Sequence, residues 1–241
     1  MSDCAIKRVF WGWDRPVLEA AANYLGEWCA AGEMERTVLI VPTAEAGRRL
    51  RRMLAELAQR DGKAVSVPNV WPPHLALAPA GDRTRAATDL EVKLAWAQVI
   101  RQAPPKAFTA LVPEREDEPS WRWLWGLAER MAEWQDLLGA GGLCAADVAD
   151  RAEELPAGEA ARWRDLAKLE ALFEEQLAKL GRSNPQRLKR DRAGNPWLPE
   201  GVTRVVVLAA PDLPPLMTRW LQSCAARGIE VIVAVHADEA D

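Results

Sequence analysis

The stretch VLIVPTAEAGRRLRRML, residues 38–54, joins a strand pattern directly to a helix pattern. Its apolar, β-branched start predicts a buried parallel strand over 36–42, because such a strand is covered on both faces. A helix is predicted from Ala44 to about Gln59, with one apolar face turned to the core. That face carries Leu50, Met53, Leu54 and Leu57, while the other faces carry Arg48, Arg49, Arg51 and Arg52. Thr43 stands between the strand and the helix.

Strand and helix patterns also alternate on either side of this stretch. Further strands are predicted over 5–13, 63–71, 202–210 and 229–236. Helices are predicted after the first of these strands, with Asp14 as N-cap and Gly32 as stop signal, and over 211–228. Such alternation is typical of an α/β protein with a parallel sheet and crossover helices.

The middle of the chain has a different pattern, helical from about Thr84 to Arg182. Helices are predicted near 86–101, 119–138, 145–154 and 158–180. The segment 181–201 is rich in turn residues and positive charge, which predicts a loop. The expected architecture is an α/β sheet domain over 1–80 and 200–241, interrupted by a helical subdomain over 81–199.

Composition limits the functions to be considered. The chain has 241 residues, a net charge of −4 and a pI near 5.5, which argues against wrapping of nucleic acid but permits a local basic groove. Four cysteines without CxxC spacing are expected to be reduced cytosolic thiols. No apolar segment approaches the ~20 residues of a membrane span. We therefore expect a cytoplasmic protein with no metal, cofactor or membrane contact.

Two turns where nucleotide chemistry would be sought lack its usual residues. A phosphate-binding loop needs several glycines and a lysine, but the turn GWDRP, residues 12–16, has one glycine, an aspartate and Arg15 as its cation. The strand over 203–208 is not followed by the adjacent acidic pair that would hold magnesium. Asp212, farther on, is interpreted as a helix cap. The residues therefore identify no catalytic group.

Thr43 and the arginines behind it allow two interpretations. One is a solvated, helix-favouring surface. The other is a phosphate contact, in which the threonine hydroxyl and free helix N–H groups lie at a strand's carboxyl end beside Arg48 and Arg52. Ligands of open α/β sheets bind at that end of the strands. Trp71 and His74, at the next strand end, are weaker candidates.

The 12 tryptophans raise the question of base stacking. One helical stripe, for which core packing is predicted, comprises Trp121, Leu124, Trp125, Ala128 and Met131. Trp123 and Trp134 fall off this stripe or at its rim and are predicted to lie at the surface. Trp71 and Trp197 stand beside prolines, where either could stack a base or cover the edge of a core.

On these residues a family resemblance can be stated. The segment 38–54 resembles the motif that follows the ATP-binding loop in UvrD-like superfamily 1 helicases, where it contacts single-stranded DNA. The stretch VVVLAAPDLPPLMTRWLQSCAARGIEVIVAV, residues 205–235, resembles the Walker B region of that family. In this alignment Leu208 stands at the magnesium aspartate and Ala209 at the catalytic glutamate, while Asp212 matches the second aspartate.

The first turn departs from the family in a similar way. Gly12, Asp14 and Arg15 fall where the Walker A loop belongs, without its Lys-Thr. This pattern resembles the AddB-type (RecC-like) subunits of bacterial helicase–nucleases, some of which keep a helicase-shaped N-terminal half with decayed ATPase motifs. The resemblance implies a RecA-like (P-loop NTPase-like) sheet with a large inserted helical subdomain.

The same resemblance implies a role in double-strand break repair through binding of single-stranded or end DNA, with an AddA-like helicase subunit as partner. On the layout of strand, threonine and arginine-bearing helix, the expected DNA contacts are Thr43, Arg48 and Arg52, with Trp71 and His74 as weaker candidates. In full-length relatives a second RecA-like domain and a PD-(D/E)XK nuclease domain follow. The chain is therefore expected to be part of a longer protein, to contact its C-terminal domains, and to have no nuclease activity of its own.

Two functions from other classes remain as alternatives. The chain could be a docking scaffold without DNA contact, which its net charge and a tryptophan-rich helical face would suit. It could also be an unrelated α/β enzyme with a small phosphorylated ligand at the strand ends, although the sequence offers no identifiable acid or base for it.

Overall fold

A computed structural model describes residues 6–30, 33–63, 66, 68–78, 85–104, 106–113 and 117–238. In chain order its elements are β1 (Lys7–Phe10), α1 (Val17–Ala30), β2 (Thr37–Ile40), α2 (Ala44–Arg60), β3 (Asn69–Trp71), α3 (Pro73–Ala76), α4 (Asp89–Gln102), α5 (Trp121–Ala140), α6 (Ala145–Ala149), α7 (Ala157–Lys179), α8 (Pro185–Gly194), β4 (Arg204–Leu208), α9 (Pro215–Ala226) and β5 (Glu230–Val235). Short 3₁₀ helices lie at Glu33–Arg36 and Ala152–Glu154. The chain divides into two compact units, 1–78 with 192–241, and 79–191.

The described residues of the first unit form one sheet of five parallel strands, in the order β1-β5-β4-β2-β3. Central strand β4 pairs Val206 with Leu39 of β2 on one side and with Ile232 of β5 on the other. Every residue of β2 is buried, as a continuous apolar run requires when helices cover both faces of a sheet. The predicted α/β class with a parallel sheet is confirmed.

Helices lie on both faces of this sheet. Because successive strand residues point to opposite sides, neighbouring residues of one strand enter different cores. Val38 and Val207 pack into a core with α9, which contributes the fully buried Trp220. Leu39 and Val206 pack into the opposite core with α1 and α2. The buried residues that the two helices add there are Ala21, Ala22 and Leu25 from α1 and Leu50 and Leu54 from α2. The apolar face predicted for α2 is therefore a core face.

The second unit is helical in its described residues, apart from an isolated bridge between Ala86 and Ser183. Trp96 of α4 stacks on Phe173 of α7, with ring centroids 4.3 Å apart. The Trp96 Nε1–H donates to Gln135 Oε1 at 3.0 Å, and Gln135 Nε2 donates to Glu170 Oε1 at 2.8 Å. Glu170 Oε2 accepts from the Ala145 N–H at 2.8 Å. This satisfied polar chain fixes α4, α5, α6 and α7 against one another.

Both predicted aspartate caps are wrong. Helix α1 begins at Val17, and the Pro16 carbonyl accepts its first N–H bonds, so Asp14 lies outside the helix. Helix α9 begins at Pro215 after Pro214, which makes no side-chain capping bond, and Asp212 lies exposed in the loop before it. Prolines pre-set the backbone angle of a first helical turn, and both helices begin at or next to one. The stop predicted at Gly32 lies outside the described residues.

The predicted loop 181–201 contains helix α8. Pro185 opens this helix, where a missing N–H is tolerated, and Asn184 Oδ1 accepts from the Gln186 N–H at 2.9 Å. The predicted core stripe of α5 is also partly wrong. Leu124, Ala128 and Met131 are buried, but Trp121 is 56% exposed. Trp123 and Trp134 are exposed, as predicted.

Candidate nucleic-acid interface

The carboxyl ends of the parallel strands lie along one edge of the sheet, here called the carboxyl edge. It consists of the last residue of each of β1, β2, β3, β4 and β5 and the residues that follow it, up to the helix that comes next where there is one. All the site residues predicted from the sequence lie on it or on helices α2 and α3, which start from it. The strand order separates them, because neighbouring strands are about 4.8 Å apart. Strands β2 and β3 are neighbours, whereas β1 lies about 14 Å from β2.

Thr43 caps helix α2. Its Oγ1 accepts the Ala46 N–H at 3.1 Å, and its carbonyl accepts the Gly47 N–H at 3.1 Å. The hydroxyl hydrogen of Thr43 remains available to an acceptor, and the first-turn N–H groups of Ala44 and Glu45 carry the partial positive charge of the helix start. An exposed threonine at this position can therefore take part in anion binding as well as capping.

The arginines of α2 are exposed. Arg48 donates from Nε to Glu45 Oε2 at 2.9 Å, in a pair whose two side chains are both largely in water. Such an exposed pair contributes little stability and can exchange partners. Arg52, one turn farther along, makes no ion pair with the residues that the structure describes. An anion at this face of α2 meets the Arg52 guanidinium, which no described carboxylate pairs with, and the Arg48 guanidinium, for which it must compete with Glu45.

Strand β3 ends beside Thr43. The Val41 N–H donates to the Trp71 carbonyl at 3.0 Å. The Trp71 ring is half-buried and lies parallel to the ring of Trp197, with centroids 6.2 Å apart and planes 8° apart. Trp197 is 50% exposed, and the Arg192 guanidinium carbon lies 5.8 Å from its ring centroid. This set, Trp71, Trp197 and Arg192, is called the tryptophan pair with its arginine.

Arg192 and His74 complete this end of the sheet. Arg192 Nε donates to the Ala78 carbonyl at 3.2 Å, and partial burial lowers the pKa of its guanidinium. His74 lies exposed in α3, two residues after the proline that follows Trp71. The sequence indicated Trp71 and Trp197 as separate candidates. Only the fold brings the two rings together, because they belong to segments far apart in the chain.

The turn after β1 forms a second cluster. Gly12 has a φ of +64°, and its N–H donates to the Ala237 carbonyl at 3.0 Å. Trp13 is 60% exposed and meets the His236 ring edge-on at 4.8 Å. His236 Nε2 lies 3.2 Å from the Arg15 carbonyl, which fixes a donating Nε2–H because a carbonyl only accepts. The sequence did not indicate Trp13 or His236 as site residues, since only the β1–β5 pairing brings them together.

The last residue of β4 and the two residues that follow it carry no carboxylate. Leu208 is buried, Ala209 has a φ of +44°, and Ala210 packs against the core. Asp212 and Asp14 are exposed. Among the described residues, no group of three or more histidine, cysteine, aspartate or glutamate side chains is placed to hold a metal ion.

Comparison with known proteins gives no family. No protein-family model matches the chain, and no curated protein sequence matches it either. In the described part of the chain, no helix is both long enough and apolar enough to cross a membrane.

Proposed function

We propose that the α/β unit binds single-stranded or end DNA at its carboxyl edge without hydrolysing nucleotide. In this proposal the unit is a RecA-like domain of an AddB-type DNA-repair subunit, and residues 81–199 are its inserted helical subdomain. A helicase subunit and further domains of its own chain are the proposed partners. The observation that carries the proposal is the adjacency of β2 and β3, which brings the start of α2 and the tryptophan pair to neighbouring strand ends, with α2 and Trp71 packed on opposite faces of the sheet.

This adjacency suits a nucleic-acid strand for chemical reasons. A strand presents phosphates and flat bases in regular alternation, so its binding sites combine cations with exposed aromatic rings. Thr43 and the α2 N–H groups can donate to one phosphate, while Arg48 and Arg52 neutralise it or its neighbour. Trp197 offers an indole with half of its surface in water. None of these groups reads a base edge, so the binding should be independent of sequence.

The ends of β1 and β4 support a role without hydrolysis. The exposed Asp14 would repel a triphosphate at the turn where a phosphate loop would lie. Leu208 and Ala209 place no carboxylate at the end of β4 for magnesium or for an attacking water. DNA binding should therefore be the same with and without ATP.

The test is a titration of fluorescein-labelled single-stranded DNA with the chain at several salt concentrations, read by fluorescence anisotropy. Replacing Arg48 and Arg52 together by glutamate should weaken binding by about tenfold and flatten its salt dependence. The matched control replaces Arg36 and Arg60 by glutamate. Both are exposed, Arg36 before the amino end of β2 and Arg60 at the end of α2. It changes the net charge equally, and it should leave binding within about twofold if the contact is local.

A substitution at Glu45 should change the affinity for DNA in the opposite direction. Glu45→Gln removes the competitor for Arg48, so DNA should bind more tightly rather than less. Absence of binding at low salt would overturn the proposal, and so would an equal loss in the control. An affinity for DNA that rises when ATP is added would contradict the non-hydrolysing role.

A further inference from the structure

Helix α5 leaves several large apolar side chains in water. Trp121, Trp123, Trp134 and Leu137 are all exposed, with Leu137 73% exposed. Single exposed apolar residues are normal on a protein surface, but Trp123 lies in a groove, and a groove with an apolar floor is typical of a contact site.

The groove lies along α5 in the helical unit and has a volume of about 840 Å³. We call it the α5 groove. Its lining includes Val112, Arg122, Trp123, Gly126, Leu127 and Arg130. Aliphatic side chains such as Val112 and Leu127 form the floor of the groove, and the Trp123 indole lies beside them. The guanidinium groups of Arg122 and Arg130 belong to the two ends of the part of α5 that lines the groove. Arg122 and Arg130 are eight positions apart, which is about 12 Å along a helix axis.

The two arginines are unmatched. Some arginines of the helical unit are paired, as in Arg162 with Glu159, Arg182 with Glu91 and Arg190 with Asp147, whereas Arg164 and Arg187 make no ion pair with the described residues. Arg122 and Arg130 are exposed and make no ion pair with any residue that the structure describes. The groove therefore carries two positive charges that no carboxylate of the described residues pairs with.

Gly126 keeps the groove open. A glycine inside a helix costs about 1 kcal/mol relative to alanine, so packing usually accounts for it. Here a β-carbon at residue 126 would have no atom within 4 Å. In contrast, a β-carbon at Gly139 of the same helix would lie 2.5 Å from Gln186 Oε1. The structure shows no internal contact that requires the small residue at position 126.

We propose that the α5 groove docks a helical segment of a partner protein, with apolar residues facing Leu127 and Trp123 and two carboxylates, about two turns apart, facing Arg122 and Arg130. A helix that inserts apolar anchors into a groove is a common mode of recognition, and tryptophan and arginine dominate such contacts. A nucleic acid suits the groove less well, because base stacking uses several exposed rings and this floor is aliphatic. This site is separate from the DNA-binding proposal and does not depend on it.

The probe is a fluorescein-labelled, helix-forming peptide with two glutamates about two turns apart and leucines between them. A second peptide carries lysines in place of the glutamates. Both are titrated against the full chain by anisotropy. The variants are Arg122→Glu with Arg130→Glu, and Gly126→Leu, which fills the groove without an internal clash. Matched controls are Arg164→Glu with Arg187→Glu, both exposed, and Gly158→Leu, also in open space.

We expect the acidic peptide to bind with micromolar affinity and the lysine peptide not to bind. Each groove variant should weaken binding of the acidic peptide at least ~10-fold, whereas the control variants should stay within about twofold of the original protein. Circular dichroism of each variant confirms that it folds. The proposal is wrong if the acidic peptide does not bind, if the lysine peptide binds equally well, or if the controls lose as much as the groove variants. It is also wrong if the groove variants abolish binding of labelled single-stranded DNA, or if sedimentation shows a dimer that Gly126→Leu dissociates. The DNA titration of the Arg48 and Arg52 variant is measured separately, so that either proposal can fail alone.

Discussion

Ala209, directly after β4, holds a backbone conformation that its side chain disfavours. Its φ is +44°, while its N–H donates to the Ala234 carbonyl at 3.0 Å, and this bond extends the β4–β5 ladder by one residue. A β-carbon in the left-handed region costs roughly 1–2 kcal/mol. The end of β4 therefore stores strain at a position where glycine would be relaxed.

Ala209→Gly should stabilise the protein by about 0.5 kcal/mol, because the relieved strain exceeds the entropy that glycine adds to the unfolded chain. Urea unfolding followed by tryptophan fluorescence measures the change in midpoint. The neighbouring Ala210→Gly is the control. Ala210 packs against the core and has no left-handed angle, so its replacement should destabilise. Equal destabilisation by the two variants would contradict the strain at Ala209.

Helix α2 packs closely on strand β3 at Gly47. A β-carbon there would lie 2.8 Å from Val70 Cγ1 and 3.4 Å from Val41 Cγ2, and Val70 is itself buried. The small residue lets the helix that carries Arg48 and Arg52 lie against the strand that ends in Trp71. At the scale of elements, this contact fixes α2 to one face of β3, while Trp71 at the end of the same strand packs on the other face.

Gly47→Ala should therefore cost about 1 kcal/mol, even though alanine favours a helix by about the same amount, because overpacking outweighs the gain in propensity. Gly26→Ala in α1 is the matched control. A β-carbon at residue 26 has no atom within 4 Å, so this variant should be stabilised. Thermal unfolding of both variants gives opposite shifts in Tm if the close approach is real, and shifts of the same sign if it is not.

Strands and helices with strong periodicity could be predicted from the sequence, because their patterns report burial directly. Strands β2, β4 and β5 and the apolar face of α2 are of this kind. Helix starts at prolines were missed, since Asp14 and Asp212 resemble caps, and α8 was missed because Pro185 resembles a loop residue. The Trp71–Trp197 stack depends on tertiary packing that no local pattern carries.

At the scale of the whole molecule, a charge network ties together strands from opposite ends of the chain. Glu230 at the start of β5 accepts from Lys7 Nζ at 2.8 Å and from Arg204 Nε at 2.7 Å. Arg204 also donates to Glu33 at 3.0 Å and lies 4.5 Å from the Trp28 ring centroid. The hydrogen bond from Lys7, then that from Arg204, holds the pKa of Glu230 below its ordinary 4.5.

This direction of the pKa shift sets the pH dependence. A carboxyl whose pKa is lower in the folded state adds stability above its unfolded pKa, and that contribution is lost as the pH falls through the folded value. Glu230→Gln should therefore be less stable by about 1 kcal/mol at pH 7, and the difference should shrink as the pH falls below the ordinary value of 4.5 and vanish below the lowered folded pKa. Urea unfolding of both proteins at several pH values measures this. A difference that does not decrease between pH 7 and pH 3 would show that Glu230 acts through packing rather than through its charge.

The position of β5 has a consequence for how the protein is made. Among the strands that the structure describes, β1 pairs with β5 alone, and β4 has β5 on one side. A ribosome must therefore deliver residues 230–235 before β1 can pair at all, and until then two strands of the nascent chain expose unpaired edges. The α/β unit therefore completes its sheet only after the helical segment has emerged. Folding that depends on contacts between residues so far apart in the sequence is slow, and the unpaired strand edges stay exposed until β5 emerges.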